Sequence, residues 1–295
     1  MSSNSFNSSR NNSFGSITGG APTYVMEAVI GLVAVAVIYF ALGSFQLLYT
    51  YINRLEANRV NLLPYTYVMN TGAQQIVQNP NVSNGLTATL SSNEATGVEF
   101  TYSFFLNIPQ QAFNAGTAGF NHIFHKGSPG QYPLLSPGVY MHNEINKLRI
   151  YMNTYDTWNN HIDVDNFPIG KWCYVTIVCR SMHLEVYING NISSRLGFNV
   201  SPPYQNYGDI YAFSQRRFNP LVPTTLPSLA GEAPPNILGV CQGQLSRLTY
   251  FNYALSYSEI NKMMNEGPNP YVAGSKGSNT TQYLADNWWT ADFTQ

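Results

Sequence analysis

The sequence predicts an all-β protein, an antiparallel β-sandwich of jelly-roll type, preceded by one transmembrane α-helix. Three observations predict it. Residues 28–52 carry no charge. From about residue 99 onward, short strand-like stretches recur between Gly, Pro, Asn and Asp turn signals. One of them, WCYVTIVC at residues 172–179, is apolar on both faces, as a strand in the middle of a layered sandwich must be.

The charge-free run is about 25 residues, or about 37 Å as a helix, enough to cross a hydrocarbon core of about 30 Å. Ala28, Ile30, Leu32, Val35, Ile38, Phe40, Leu42, Phe45 and Leu48 are its lipid-facing anchor residues. Tyr24 stands near one end, and Tyr49 and Tyr51 near the other, where amphipathic rings favour the membrane interface. A cleaved signal peptide fits less well, because a long Ser/Asn-rich segment precedes the run and the run exceeds a signal h-region. Arg54 and Arg59 follow the helix and Arg10 alone precedes it, so the positive-inside rule puts the C-terminal domain on the cytosolic side. On that side the sequons at Asn7, Asn11, Asn81, Asn191, Asn199 and Asn279 would stay unmodified.

Composition narrows the function classes. Charged residues make up 10% of the chain and net charge is −1, against about 25% charged residues in an ordinary globular protein. No nucleic-acid partner is expected, since that footprint needs clustered Lys and Arg. A weakly charged surface suits proteins built into assemblies, and it suits glycan binders equally. Cys173 and Cys179 lie six apart on one strand, hence about 20 Å apart and beyond disulfide reach. With Cys241 they read as buried free thiols, which points to maturation in a reducing compartment. No Cys/His spacing suggests a metal.

The chain divides into a disordered polar N-terminus (1–23), the transmembrane helix (24–53), a stalk or linker with a candidate first strand (54–95), the sandwich (96–267) and an extended tail (268–295). The helix is expected to continue to Pro64, because the residue before proline avoids the helical region. Asn189-Gly190 is a strong hairpin signal. Ser256, with Glu259 three residues later, forms a capping box for a short helix ending before Gly267-Pro268.

The residues IGKW at 169–172, YVTIV at 174–178, LEVYING at 184–190, LSRLTYFNYALS at 245–256 and the helix beginning SEI at 258–260 resemble the laminin-G-like branch of the concanavalin A-like lectin/glucanase superfamily. The resemblance spans residues 95–267. With IDVDNFPI at 162–169 and the earlier hairpin around 138–150, it is similar to copies encoded by large icosahedral DNA viruses. The resemblance implies a virion protein, a minor capsid component tying an internal membrane to the shell, with lipid and capsid or other virion proteins as partners.

Glucanases of that superfamily carry an E-x-D-x-E strand supplying two carboxylates about 5 Å apart. Here Glu185 stands alone, on a strand expected to face solvent, so no catalytic residue and no enzymatic activity are expected. Asp163 and Asp165, with Asp156 and Asn166 nearby, could gather oxygen ligands for Ca²⁺, or could form a polar loop. No other cofactor is expected. His122 and His125, three apart, should face opposite sides of a strand and share nothing. Trp158, Tyr204, Tyr207, Trp288 and Trp289 are the candidate glycan- or partner-binding residues, because sugars stack on such rings and protein interfaces select them; Tyr211 also falls near a loop. The long loop 201–236 hints at interaction. Two functions therefore stand: a membrane-anchored structural adaptor, and a membrane-tethered lectin for attachment. A glycoside hydrolase lacks its second carboxylate.

Overall fold

The computed structural model describes residues 23–83, 85–91, 97–131, 133–218 and 235–274. The expected polar N-terminus and most of the tail, including Trp288 and Trp289, lie outside them. The chain divides into two compact units, residues 1–54 and 55–295.

In the first unit the helix α1 (Thr23–Ala57) begins. Residues 24–52 are exposed all round, the anchor residues among them. A helix apolar on every side is matched to a buried or lipid environment rather than to water. At about 1.5 Å per residue its 35 residues are long enough, and apolar enough, to span a membrane.

The second unit is a two-layer antiparallel sandwich. Strands β1 (Arg59–Val68), β13 (Gln244–Phe251), β3 (Glu99–Asn107), β8 (Cys173–Arg180), β9 (His183–Ile188) and β10 (Asn191–Gly197) form one sheet in that order. The other runs β2 (Gln74–Ile76), β11 (Ile210–Ala212), β4 (Phe120–Gly127), β5 (Leu135–His142), β6 (Leu148–Tyr151), β7 (His161–Val164), with β12 (Ile237–Val240) pairing parallel to β4.

Alternation explains the core. Phe100, Tyr102, Phe104 and Leu106 of β3 point between the sheets, as do Cys173, Val175, Ile177 and Cys179 of β8. The other face of β8, Tyr174 and Val178, packs with Phe105, Phe251 and Leu255 beneath α2 (Tyr257–Asn265), which contributes Ile260 and Met263. The capping box at Ser256 and Glu259 forms as the spacing predicts. Asn189 (φ 49°) and Gly190 (φ 80°) make the hairpin turn between β9 and β10. All three cysteines are free and buried.

Two expectations are corrected. The helix does not continue to Pro64: it ends at Ala57, and residues 59–68 become β1, paired with β13 from Arg59↔Phe251 to Val68↔Gln244. Pro64 is tolerated because β1 is an edge strand. The stretch expected as a stalk or linker with a candidate first strand thus supplies β1 to one sheet and β2 to the other. The second correction concerns β4. A register shift between His122 and Phe124 places both Ile123 and Phe124 in the inter-sheet core. The extra residue turns His122 and His125 to the same side, where their rings meet.

Candidate binding surface

Three segments far apart in sequence build a cleft at one end of the sandwich. The turn at 154–157 is tied by Thr154 and Thr157, whose hydroxyls lie 3.1 Å apart. The segment 202–204 runs beside it: the Tyr155 amide donates to the Pro202 carbonyl at 3.3 Å and the Tyr204 amide to Asn153 O at 2.9 Å. This sets the rings of Tyr155 and Tyr204 edge to face, 5.1 Å apart. Gln205 fixes the third segment. Its Oε1 accepts from the Ser91 amide at 3.0 Å and its Nε2 donates to Tyr250 Oη at 2.7 Å. Tyr250 in turn donates to the Thr89 carbonyl at 2.5 Å.

The resulting cleft, about 290 Å³, is lined by Leu90, Val98, Tyr155, Tyr204, Gln205 and Tyr207 among others. Tyr207 is 74% exposed and Tyr155 66%. A second depression shares Tyr155 and Tyr204 with it and continues to Thr157 and Trp158. Exposed phenol rings beside Leu90 and Val98 offer apolar faces with polar tips, suited to the C–H faces of a sugar or to a partner's side chains.

The sequence-predicted residues fare unequally. Tyr204 and Tyr207 line the cleft. Trp158, expected as a loop platform, is only 5% exposed and serves as the floor of the turn. Tyr155 was not singled out, because nothing local distinguishes it; the bridge between Thr154 and Pro203 brings it into place. Tyr211 lies on β11, stacked on His125 at 5.2 Å.

Asp163 and Asp165 stand among cations. Arg149 donates from Nε and Nη2 to the two Asp163 oxygens, each at 2.7 Å. Lys147 lies 3.5 Å from Asp163 and 3.1 Å from Asp165. Burial alone pushes the Asp163 carboxyl up, but Arg149 and Lys147 hold it below the usual carboxylate range. Both Asp163 oxygens are thus held by Arg149, and one Asp165 oxygen lies against Lys147. Among the described residues no group of three or more His, Cys, Asp or Glu could hold a metal ion. Glu185, expected to face solvent, is only 8% exposed. It pairs with Arg180 at 3.3 Å and Arg195 at 3.4 Å, and accepts from Tyr187 Oη at 3.0 Å.

No family model matches the chain, and no curated protein matches it. Among solved structures, the receptor binding domain of botulinum neurotoxin D is similar to it at 13% identity with a TM-score of 0.45, covering 72% of this chain and 53% of that one. The binding domain of Paraclostridial Mosquitocidal Protein 1 is similar at 16% identity with a TM-score of 0.42, covering 72% and 53%. The chain spans about half the length of these solved chains. At such scores the likeness carries no argument about what this chain binds.

Proposed function

We propose that this chain is a non-catalytic, membrane-anchored structural adaptor. Its helix sits in lipid and its sandwich engages a protein partner on the cytosolic side. In the setting that the laminin-G-like motif implies, it is a minor capsid protein joining an internal membrane to the shell. One observation carries the reading. The apolar helix passes through a single residue, Asn58, into β1, which is an integral strand of the sandwich. Chain continuity from a membrane helix into a strand of the binding domain is what a connector needs.

The paired surroundings of Glu185 support the non-catalytic part, since a carboxylate held by two guanidinium groups is poorly suited to move a proton. A membrane-tethered lectin is the second reading, and the exposed rings of Tyr155 and Tyr207 favour it. Crosslinking and peptide mapping of purified particles separates the two. An adaptor gives crosslinks from residues 55–295 to the major shell protein. Particles that lack the chain, together with sugar binding lost in Tyr207→Ala, would instead establish the lectin.

A further inference from the structure

A cavity on the sandwich, about 590 Å³, has Tyr211, Ser214, Gln215 and Arg216 along one wall and Pro129, Gln74 and Gln75 on the others. Behind that wall lie His122 and His125, both fully buried. Their hydrogen bonds run in one direction. The Ser214 amide donates to His122 Nδ1 at 3.0 Å. His122 Nε2 therefore carries the proton and donates to His125 Nδ1 at 2.7 Å. His125 Nε2 in turn donates to the Ser128 carbonyl at 2.8 Å. Each ring is neutral, and each lone pair is filled by a donor.

We propose that His122 and His125 form an acid-operated latch, which holds residues 213–216 against β4 through the Ser214 amide and so sets the wall of this cavity. An added proton has no free lone pair to enter. It must displace either the Ser214 amide or the bond between the two rings. The latched segment is also joined to the turn at 128–131, since Gln131 Nε2 donates to Ser214 Oγ at 3.2 Å and to the Arg216 carbonyl at 3.1 Å. That segment also holds strained backbone: Phe213 has φ of 59°, which non-glycine residues adopt only when their surroundings impose it. Release relieves that strain.

No neighbouring carboxylate stands ready to stabilise imidazolium. The titratable groups facing the rings are the Tyr140 phenol, edge-on to His122 at 5.5 Å, and Tyr211, stacked on His125. The charged groups nearby are committed elsewhere. Lys126 donates to the carbonyls of Asn206 and Gly208, Asp209 accepts from Gln75 and Gln78, and Arg216 donates to the Pro129 carbonyl. Burial keeps both rings from protonating while the latch is closed. Once open, they titrate near pH 6.5, so acidification from pH 7.5 to 5.0 raises the open population on the order of 10³-fold for two rings.

Amide hydrogen exchange on the full chain in lipid nanodiscs, corrected for intrinsic rates, tests this at pH 7.5 and 5.0. Protection of the Ser214 amide should fall by that order at pH 5.0, while β8 stays protected. The variant His122→Asn/His125→Gln, with amides that do not titrate, should show no such change. If that variant does not fold, ring ¹⁵N shifts of the wild type decide, and protonation must coincide with loss of Ser214 protection. Unchanged protection at pH 5.0, equal loss across β8, or acid opening retained in the double variant would overturn the latch.

Discussion

Trp158 and Tyr207 are both aromatic residues near the same loops, and burial gives them opposite roles. Trp158→Ala removes a buried indole and should cost about 3–5 kcal/mol in thermal denaturation. Tyr207→Ala removes an exposed ring and should change stability by no more than about 0.5 kcal/mol while abolishing whatever the cleft binds. The Asp163 carboxylate is equally specific. Asp163→Ala strands the Arg149 guanidinium, which also lies over the Phe120 ring at 4.7 Å, and should destabilise by about 1–3 kcal/mol. Calcium added to the wild type should leave its melting temperature unchanged, because Arg149 already holds both Asp163 oxygens and Lys147 adds a second positive charge beside them. At His125 burial pushes the ring down to about 4. Its native value lies below the unfolded one, so the unfolded chain binds a proton that the native state refuses. Stability is therefore full above pH 6.5 and declines towards pH 4, by about 3 kcal/mol for this ring alone. Denaturant melts at stepped pH would show the decline.

Among the elements, β1 matters most to the proposed tether. Beyond its pairing with β13, Arg59 makes a two-pronged ion pair with Glu266 just past α2, at 2.7 and 2.8 Å. Further along β1, the Thr66 amide donates to the Tyr271 carbonyl at 2.9 Å. Arg59→Leu should lower the denaturation midpoint, by about 1–3 kcal/mol, since Glu266 keeps only Arg247 at 3.5 Å. Only the second half of β1 was legible in the sequence, as a candidate first strand after Pro64, which reads as a helix stop rather than an edge-strand residue. The elements that were legible share strong local signals. The two-faced apolar pattern gave β8, Asn189-Gly190 gave the β9–β10 turn, and Ser256 with Glu259 gave α2. Gly190→Ala should destabilise by about 1–3 kcal/mol, because φ is 80° and the new Cβ would lie 2.6 Å from Asn261 Oδ1. The bulge in β4 was hidden because an extra residue in a strand leaves no mark on a period-two pattern.

At the scale of the whole molecule, the sandwich class and the apolar helix follow from periodicity and from the absence of charge. The cleft does not, because its rings come from turns whose only link is the fold. The central claim is that the helix holds the sandwich to a membrane with residues 55–295 on the cytosolic side. Asn191 sharpens the choice of side, since it is exposed at the start of β10 and lies in a sequon. The most direct measurement is alkaline extraction, followed by protease treatment of intact membranes from cells expressing the full chain. The account predicts that the chain stays in the membrane pellet, that added protease removes the sandwich, and that Asn191 carries no glycan. A chain released by alkali, or a sandwich protected from protease and glycosylated at Asn191, would contradict it.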